Sequence, residues 1–116
     1  ATKFKCNDNL NLIISPDPPI PSESLTLSAS GTVKNDVEDG IVDADIQVFN
    51  KNNILNDSFL GGESMFTAKK GEQFNATLDI SPLPDNFKIV MTVTASDVDG
   101  NIFGCAKKTF DFSNKN

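Results

Sequence analysis

Apolar and polar residues alternate with a period of two along most of this chain, and no segment carries the three-to-four spacing of a helix. Leu25, Leu27, Ala29, Gly31 and Val33 alternate with Thr26, Ser28, Ser30 and Thr32. Val42, Ala44, Ile46 and Val48 alternate with Asp43, Asp45 and Gln47. Phe74, Ala76, Leu78 and Ile80 are interleaved with Gln73, Asn75, Thr77 and Asp79, and Phe87, Ile89, Met91, Val93 and Ala95 with Lys88, Thr92 and Thr94. Each run has one oily and one wet face, as antiparallel strands over a shared core require. Residues 10–15, a short run at 54–60 and residues 102–112 read as three further strands. Turn formers separate them: Ser15-Pro16-Asp17-Pro18-Pro19, Glu38-Asp39-Gly40, Gly61-Gly62, Lys70-Gly71, Ser81-Pro82-Leu83-Pro84 and Asp99-Gly100-Asn101. Seven short strands at this spacing predict an all-β fold, an immunoglobulin-like β-sandwich. It has no tryptophan, and no cysteine pair in the second and sixth strands, so it departs from the antibody type. With no repeat and no linker, residues 1–116 read as a single domain.

Charge narrows the partners. Ten basic residues stand against 16 acidic ones, and the net charge of −6 repels phosphate backbones, so nucleic acid is not expected. The acidity reads first as solubility. No stretch of 18 uncharged apolar residues exists to span a membrane. No signal peptide is visible, and Ala1 reads as the start of a mature chain, which does not argue for the cytosol.

Candidate chemistry is sparse. The chain has no histidine, so the usual general base is missing and no enzyme activity is expected. Glu38/Asp39 and Asp43/Asp45 read as turn and solvent-face carboxylates. Asp97-Val98-Asp99-Gly100-Asn101 has part of a calcium-loop pattern but lacks the remaining ligand spacing and the closing glutamate, and reads as a tight hairpin turn. No metal and no cofactor is expected. The two cysteines, Cys6 and Cys105, form no CxxC motif and leave two readings, a pair of buried thiols or one bridge between the chain ends. Asn56-Asp57-Ser58 and Asn75-Ala76-Thr77 match the N-glycosylation acceptor pattern, with Asn75 on the wet side of its run. Together with a bridge they would point to a secretory route.

Nine phenylalanines occur without any tyrosine or tryptophan. Phenylalanine brings a large apolar area without a polar handle. Such an inventory suits either an ordinary core or a cavity between splayed sheets that accepts an apolar ligand.

A resemblance adds to this picture. The segments Ile14-Ser15-Pro16-Asp17-Pro18-Pro19, Glu23-Ser24-Leu25-Thr26, Ala29-Ser30-Gly31-Thr32-Val33 and Val37-Glu38-Asp39-Gly40 are similar to the ML lipid-recognition domain family. The nearest branch is the phosphatidylglycerol/phosphatidylinositol transfer proteins, and the cholesterol-binding protein of Niemann–Pick type C disease is a more distant relative. Lys69-Lys70-Gly71-Glu72-Gln73-Phe74 resembles the basic stretch before that family's fifth strand, and Phe87-Lys88-Ile89-Val90 through Asp99-Gly100-Asn101-Ile102-Phe103-Gly104-Cys105 its final hairpin. The resemblance implies a seven-stranded sandwich whose sheets part to hold lipid. It also implies that Cys6 and Cys105, which match the family's first and last cysteines, pair with each other. The family's middle bridges have no counterpart here, where Phe66 stands near one expected cysteine, so a loop at residues 56–70 is expected to be less tied.

The reading that follows is a non-enzymatic protein that binds, and in its wider form transfers, a sterol or phospholipid held between two β-sheets. The expected lining is Leu27, Phe49, Ile54, Phe59, Phe66, Phe74, Leu78, Phe87, Ile89, Met91 and Phe103. A burial gain of about 0.8 kcal/mol per methylene would hold an acyl chain or sterol without polar chemistry. The expected partners are the lipid and, transiently, a membrane or a lipid-accepting protein. The protein would act as a monomer, secreted or in the lumen of the endolysosomal and secretory pathway. The rival reading is a filled immunoglobulin-like module for adhesion or recognition, working through its loops.

Overall fold

The alternating runs become strands with their apolar positions turned inward. The computed structural model describes residues 5–113, so Ala1 lies outside the described residues. Seven strands follow one another: β1 (Asn11–Ser15), β2 (Leu25–Thr32), β3 (Val37–Phe49), β4 (Leu55–Ala68), β5 (Gln73–Ile80), β6 (Lys88–Ser96) and β7 (Ile102–Asp111). They form two antiparallel sheets, one ordered β1-β2-β5 and the other β4-β3-β6-β7. The fold is therefore the expected β-sandwich. In the constant immunoglobulin arrangement the fourth strand pairs with the fifth; here β4 pairs with β3 instead. Along β5 the alternation is strict, with Phe74, Ala76, Leu78 and Ile80 buried and Gln73, Asn75, Thr77 and Asp79 in water. Asn56 and Asn75, the asparagines of the two sequence patterns, are both exposed.

Two of the expected turns are bulges inside long strands. Ala44 pairs with Gly62 and Asp45 with Leu60, which leaves Gly61 as the extra residue of a β-bulge. Chain 55–68 is thus one strand of 14 residues, not a short strand, a Gly-Gly turn and a loose loop. At the start of β3 the register slips between Val37 and Gly40, where Asp39 adopts φ 58° and its N–H donates to Thr67 Oγ1 at 3.3 Å. The remaining middle loop, Lys69–Glu72, is a tight turn closed by the Glu72 N–H on the Lys69 carbonyl at 2.8 Å.

The two long edges of the sandwich differ. On one side β4 and β5 pack together so closely that a methyl group on Gly62 would lie 3.0 Å from the Asp79 carbonyl oxygen. On the other side an arm preceding β1 is clipped to β7. Asn9 Oδ1 accepts from the Cys105 N–H at 2.8 Å, Asp8 Oδ1 accepts from the Lys107 N–H at 3.0 Å, and the Leu10 N–H donates to the Cys105 carbonyl at 3.3 Å. Cys6 is disulfide-bonded to Cys105 at the same place. Leu10 then crosses between the sheets, where a methyl group on Gly104 would fall 2.7 Å from its Cδ2. Beyond that crossing β1 joins the other sheet and leaves β7 behind.

Candidate functional site

The expected lipid lining divides into four groups. Leu27, Ile89 and Met91 are 0% exposed, so no water-sized space touches them, and Leu78 is nearly as closed. Phe66, Phe74 and Phe103 form a ring cluster, with Phe66 and Phe74 stacked at 4.5 Å between centroids and Phe103 edge-on to both at 6.0 and 5.9 Å. Phe59 and Phe87 are partly buried against the core. Phe49 and Ile54 are elsewhere. Phe49 pairs with Lys88, whose Nζ stands 5.6 Å from its ring centroid, and Ile54 is 60% exposed ahead of β4. The middle of the sandwich is therefore packed side chain to side chain, and a lipid could occupy it only by parting the sheets.

Two recesses stand out on the surface of the described residues, one at a loop end and one along a strand edge. The first, about 430 Å³, lies between the arm, the β2–β3 turn and the β6–β7 turn. Its walls are mostly polar, with Asn7, Asn9, Asn35, Asp36, Asp97 and Asn101 above an apolar floor of Val33, Val37 and Phe103. Its turns are well held. Asp97 accepts from the Asn101 N–H at 2.9 Å and the Asp99 N–H at 3.0 Å, and these bonds, that of Asn101 foremost, hold its carboxyl below the usual range. Asp36 likewise accepts from the Lys70 N–H at 2.8 Å.

The second recess, about 390 Å³, lies in the gap between β1 and β7. Leu12, Ile13, Ile14 and Phe110 line it, with Asp17, Lys108 and Thr109 at its rim. Ile14 is buried and Leu12 and Phe110 half-buried, so the recess leads from water directly onto the inter-sheet core. None of these residues was in the expected lining. The signal that would have found them is the inward register of β7, Gly104, Ala106, Lys108 and Phe110, in which a lysine interrupts the apolar series.

The outer face of the larger sheet carries carboxylates. Asp43 faces Glu63 directly across the β3–β4 ladder and accepts from Thr94 Oγ1 at 2.9 Å. Loss of solvent around Asp45, then the charge of Asp43 and their hydrogen bond, push the Asp45 carboxyl above its ordinary range. The folded state thus holds a proton on Asp45 more tightly than the unfolded chain does. That contribution to stability is present at low pH and is lost as the pH rises through the raised pKa. Asp45→Asn is expected to raise Tm at pH 7. The gain should vanish below the carboxylate range and shrink in high salt. Thermal melts of both proteins across pH 3–7 test this, and a gain that does not change with pH would refute the charge origin.

No family model matches the chain. Over 30 residues it is 53% identical to a phosphatidylglycerol/phosphatidylinositol transfer protein of Mycosarcoma maydis. That stretch is 26% of this chain and spans only 16% of the length of that protein. Among solved structures, the sporulation control protein Spo0M of Bacillus subtilis superposes with a TM-score of 0.53 at 13% identity, over 89% of this chain and 48% of that one. This likeness is one of fold. The ApaA protein of Bordetella pertussis covers 91% of this chain and 95% of its own at 16% identity, with a TM-score of 0.43.

Proposed function

We propose that this domain is a non-enzymatic lipid-binding module that admits an acyl chain or sterol between its sheets through the β1–β7 edge. The observation that carries the reading is the contrast between the two edges. The β4–β5 side is shut by close backbone approach at Gly62, while the β1–β7 side is parted over a recess of mixed lining, in which Leu12, Ile14 and Phe110 lead onto the core beneath Asp17, Lys108 and Thr109. The shared stretch with a phospholipid transfer protein supports the same ligand class. Parting the sheets exposes apolar surface, which the lipid's own methylenes cover again at about 25 cal/mol per Å². The Cys6–Cys105 bond is compatible with a secreted or lumenal location, where Asn56 and Asn75 would be open to glycosylation.

Organic extraction of purified protein, followed by mass spectrometry, should recover a stoichiometric lipid. Uptake of fluorescent sterol and phospholipid from vesicles should be measured beside it. Leu12→Glu places a charge at the half-buried mouth, where the carboxylate still reaches water. It should reduce uptake at least tenfold while the protein remains folded by circular dichroism. If the parent protein carries no lipid and takes up none, the reading fails. The polar recess at the loop end then favours the second reading, a recognition module that works through its arm and its β2–β3 and β6–β7 turns.

A further inference from the structure

The β1–β7 edge holds a charge that the fold itself does not use. Lys108 stands opposite Met91 in the ladder, on the inward side of β7, although Met91 is wholly buried. A lysine at such a position is tolerated only where its stem can lie on apolar surface and its ammonium can reach water or an anion. Here the side chain reaches the rim of the recess and is exposed there, over Leu12, Ile14 and Phe110. No hydrogen bond or ion pair among the described residues engages it. Asp17 lines the same rim without pairing to it.

We infer that Lys108 holds the phosphate of a phospholipid at the mouth of the recess, an inference that rests on the lipid-binding reading above. An ammonium gives a phosphodiester charge-assisted hydrogen bonds, and it gives a sterol hydroxyl much less. Leu12, Ile14 and Phe110 would take the acyl chain and Lys108 the headgroup, an arrangement that would favour phospholipid over sterol. Asp17 opposes a second negative charge at the rim, so a singly charged diester fits better than a doubly charged monoester.

The test compares the parent, Lys108→Gln and Lys108→Arg in uptake of fluorescent phospholipid and fluorescent sterol from vesicles of fixed composition. Inorganic phosphate is added as a competitor in a separate arm. Lys108→Gln should weaken phospholipid uptake about tenfold, the weight of one hydrogen-bonded charge, and leave sterol uptake unchanged. Lys108→Arg should retain the parent's preference. Millimolar phosphate should not compete, because it cannot use Leu12, Ile14 and Phe110. Equal phospholipid uptake by the parent and Lys108→Gln overturns the inference while lipid binding stands. That outcome would leave Lys108 as an edge charge that only deters strand pairing. Full competition by phosphate overturns it in favour of a free-phosphate site. A parent that takes up no lipid overturns both this inference and the reading beneath it.

Discussion

Removing the Cys6–Cys105 bond by Cys6→Ser/Cys105→Ser is expected to lower the unfolding free energy by about 4–5 kcal/mol, the chain-entropy value for a loop of roughly 100 residues. The bonded residues are 99 apart, so the bond closes a loop that takes in β1 to β6 and the start of β7. The arm keeps its hydrogen bonds to β7 through Asp8, Asn9 and Leu10 whether or not the sulfurs are joined. Most of the loss should therefore arise in the unfolded ensemble, which the bond otherwise restricts. A domain of this size has a total stability of about 5–15 kcal/mol, so the double variant would sit near the edge of folding. Urea unfolding of both proteins should show a lower midpoint together with a larger slope, because the released chain exposes more surface. A loss under 1 kcal/mol with an unchanged slope would mean that the arm, not the bond, carries the closure.

Phe74→Ala is expected to cost about 3–5 kcal/mol, the range for removing a buried ring. Phe74 is 3% exposed, stacked on Phe66 and edge-on to Phe103, in a cluster that bridges the two sheets near Gly31. Truncation would leave Phe66 and Phe103 facing a hole that strands fixed by their ladders cannot collapse to fill. Phe87→Ala makes the internal comparison, because Phe87 precedes β6 and is only half-buried, so its loss should be distinctly smaller. Denaturant unfolding of the two variants decides the point. Equal losses would mean that the cluster is no better packed than the strand entrance.

Strands that bury one face were legible because each one repeats its apolar positions every second residue. The runs around Leu27, Ile46, Leu78 and Met91 all fold as their alternation implies. The long β4 was not legible. It is an edge strand with Leu55, Leu60 and Met65 exposed, so its polarity does not alternate, and Gly61-Gly62 mimics a turn. Only the ladder to β3 shows that the pair absorbs a bulge and makes room for Asp79. Asp39-Gly40 misleads in the same way, since a residue with positive φ serves a bulge as well as a turn. For the candidate site, the phenylalanine inventory and the surface recess fall in different places. Phe66, Phe74 and Phe103 satisfy one another as packing, while the recess is built by smaller contributions from β1 and the end of β7.

The pinned crossing at Leu10 and Gly104 also sets a length scale. From Gly104, where the arm fastens the edge, to Phe110 at the recess, β7 advances about 20 Å at a strand's rise per residue. A hydrocarbon tail held as proposed, lying along the strand from Phe110, would meet a fixed stop at Leu10. Tails shorter than that distance would fit straight, and longer ones would have to bend back or leave their ends in water. The clip that holds the domain together would then also act as a ruler for its ligand.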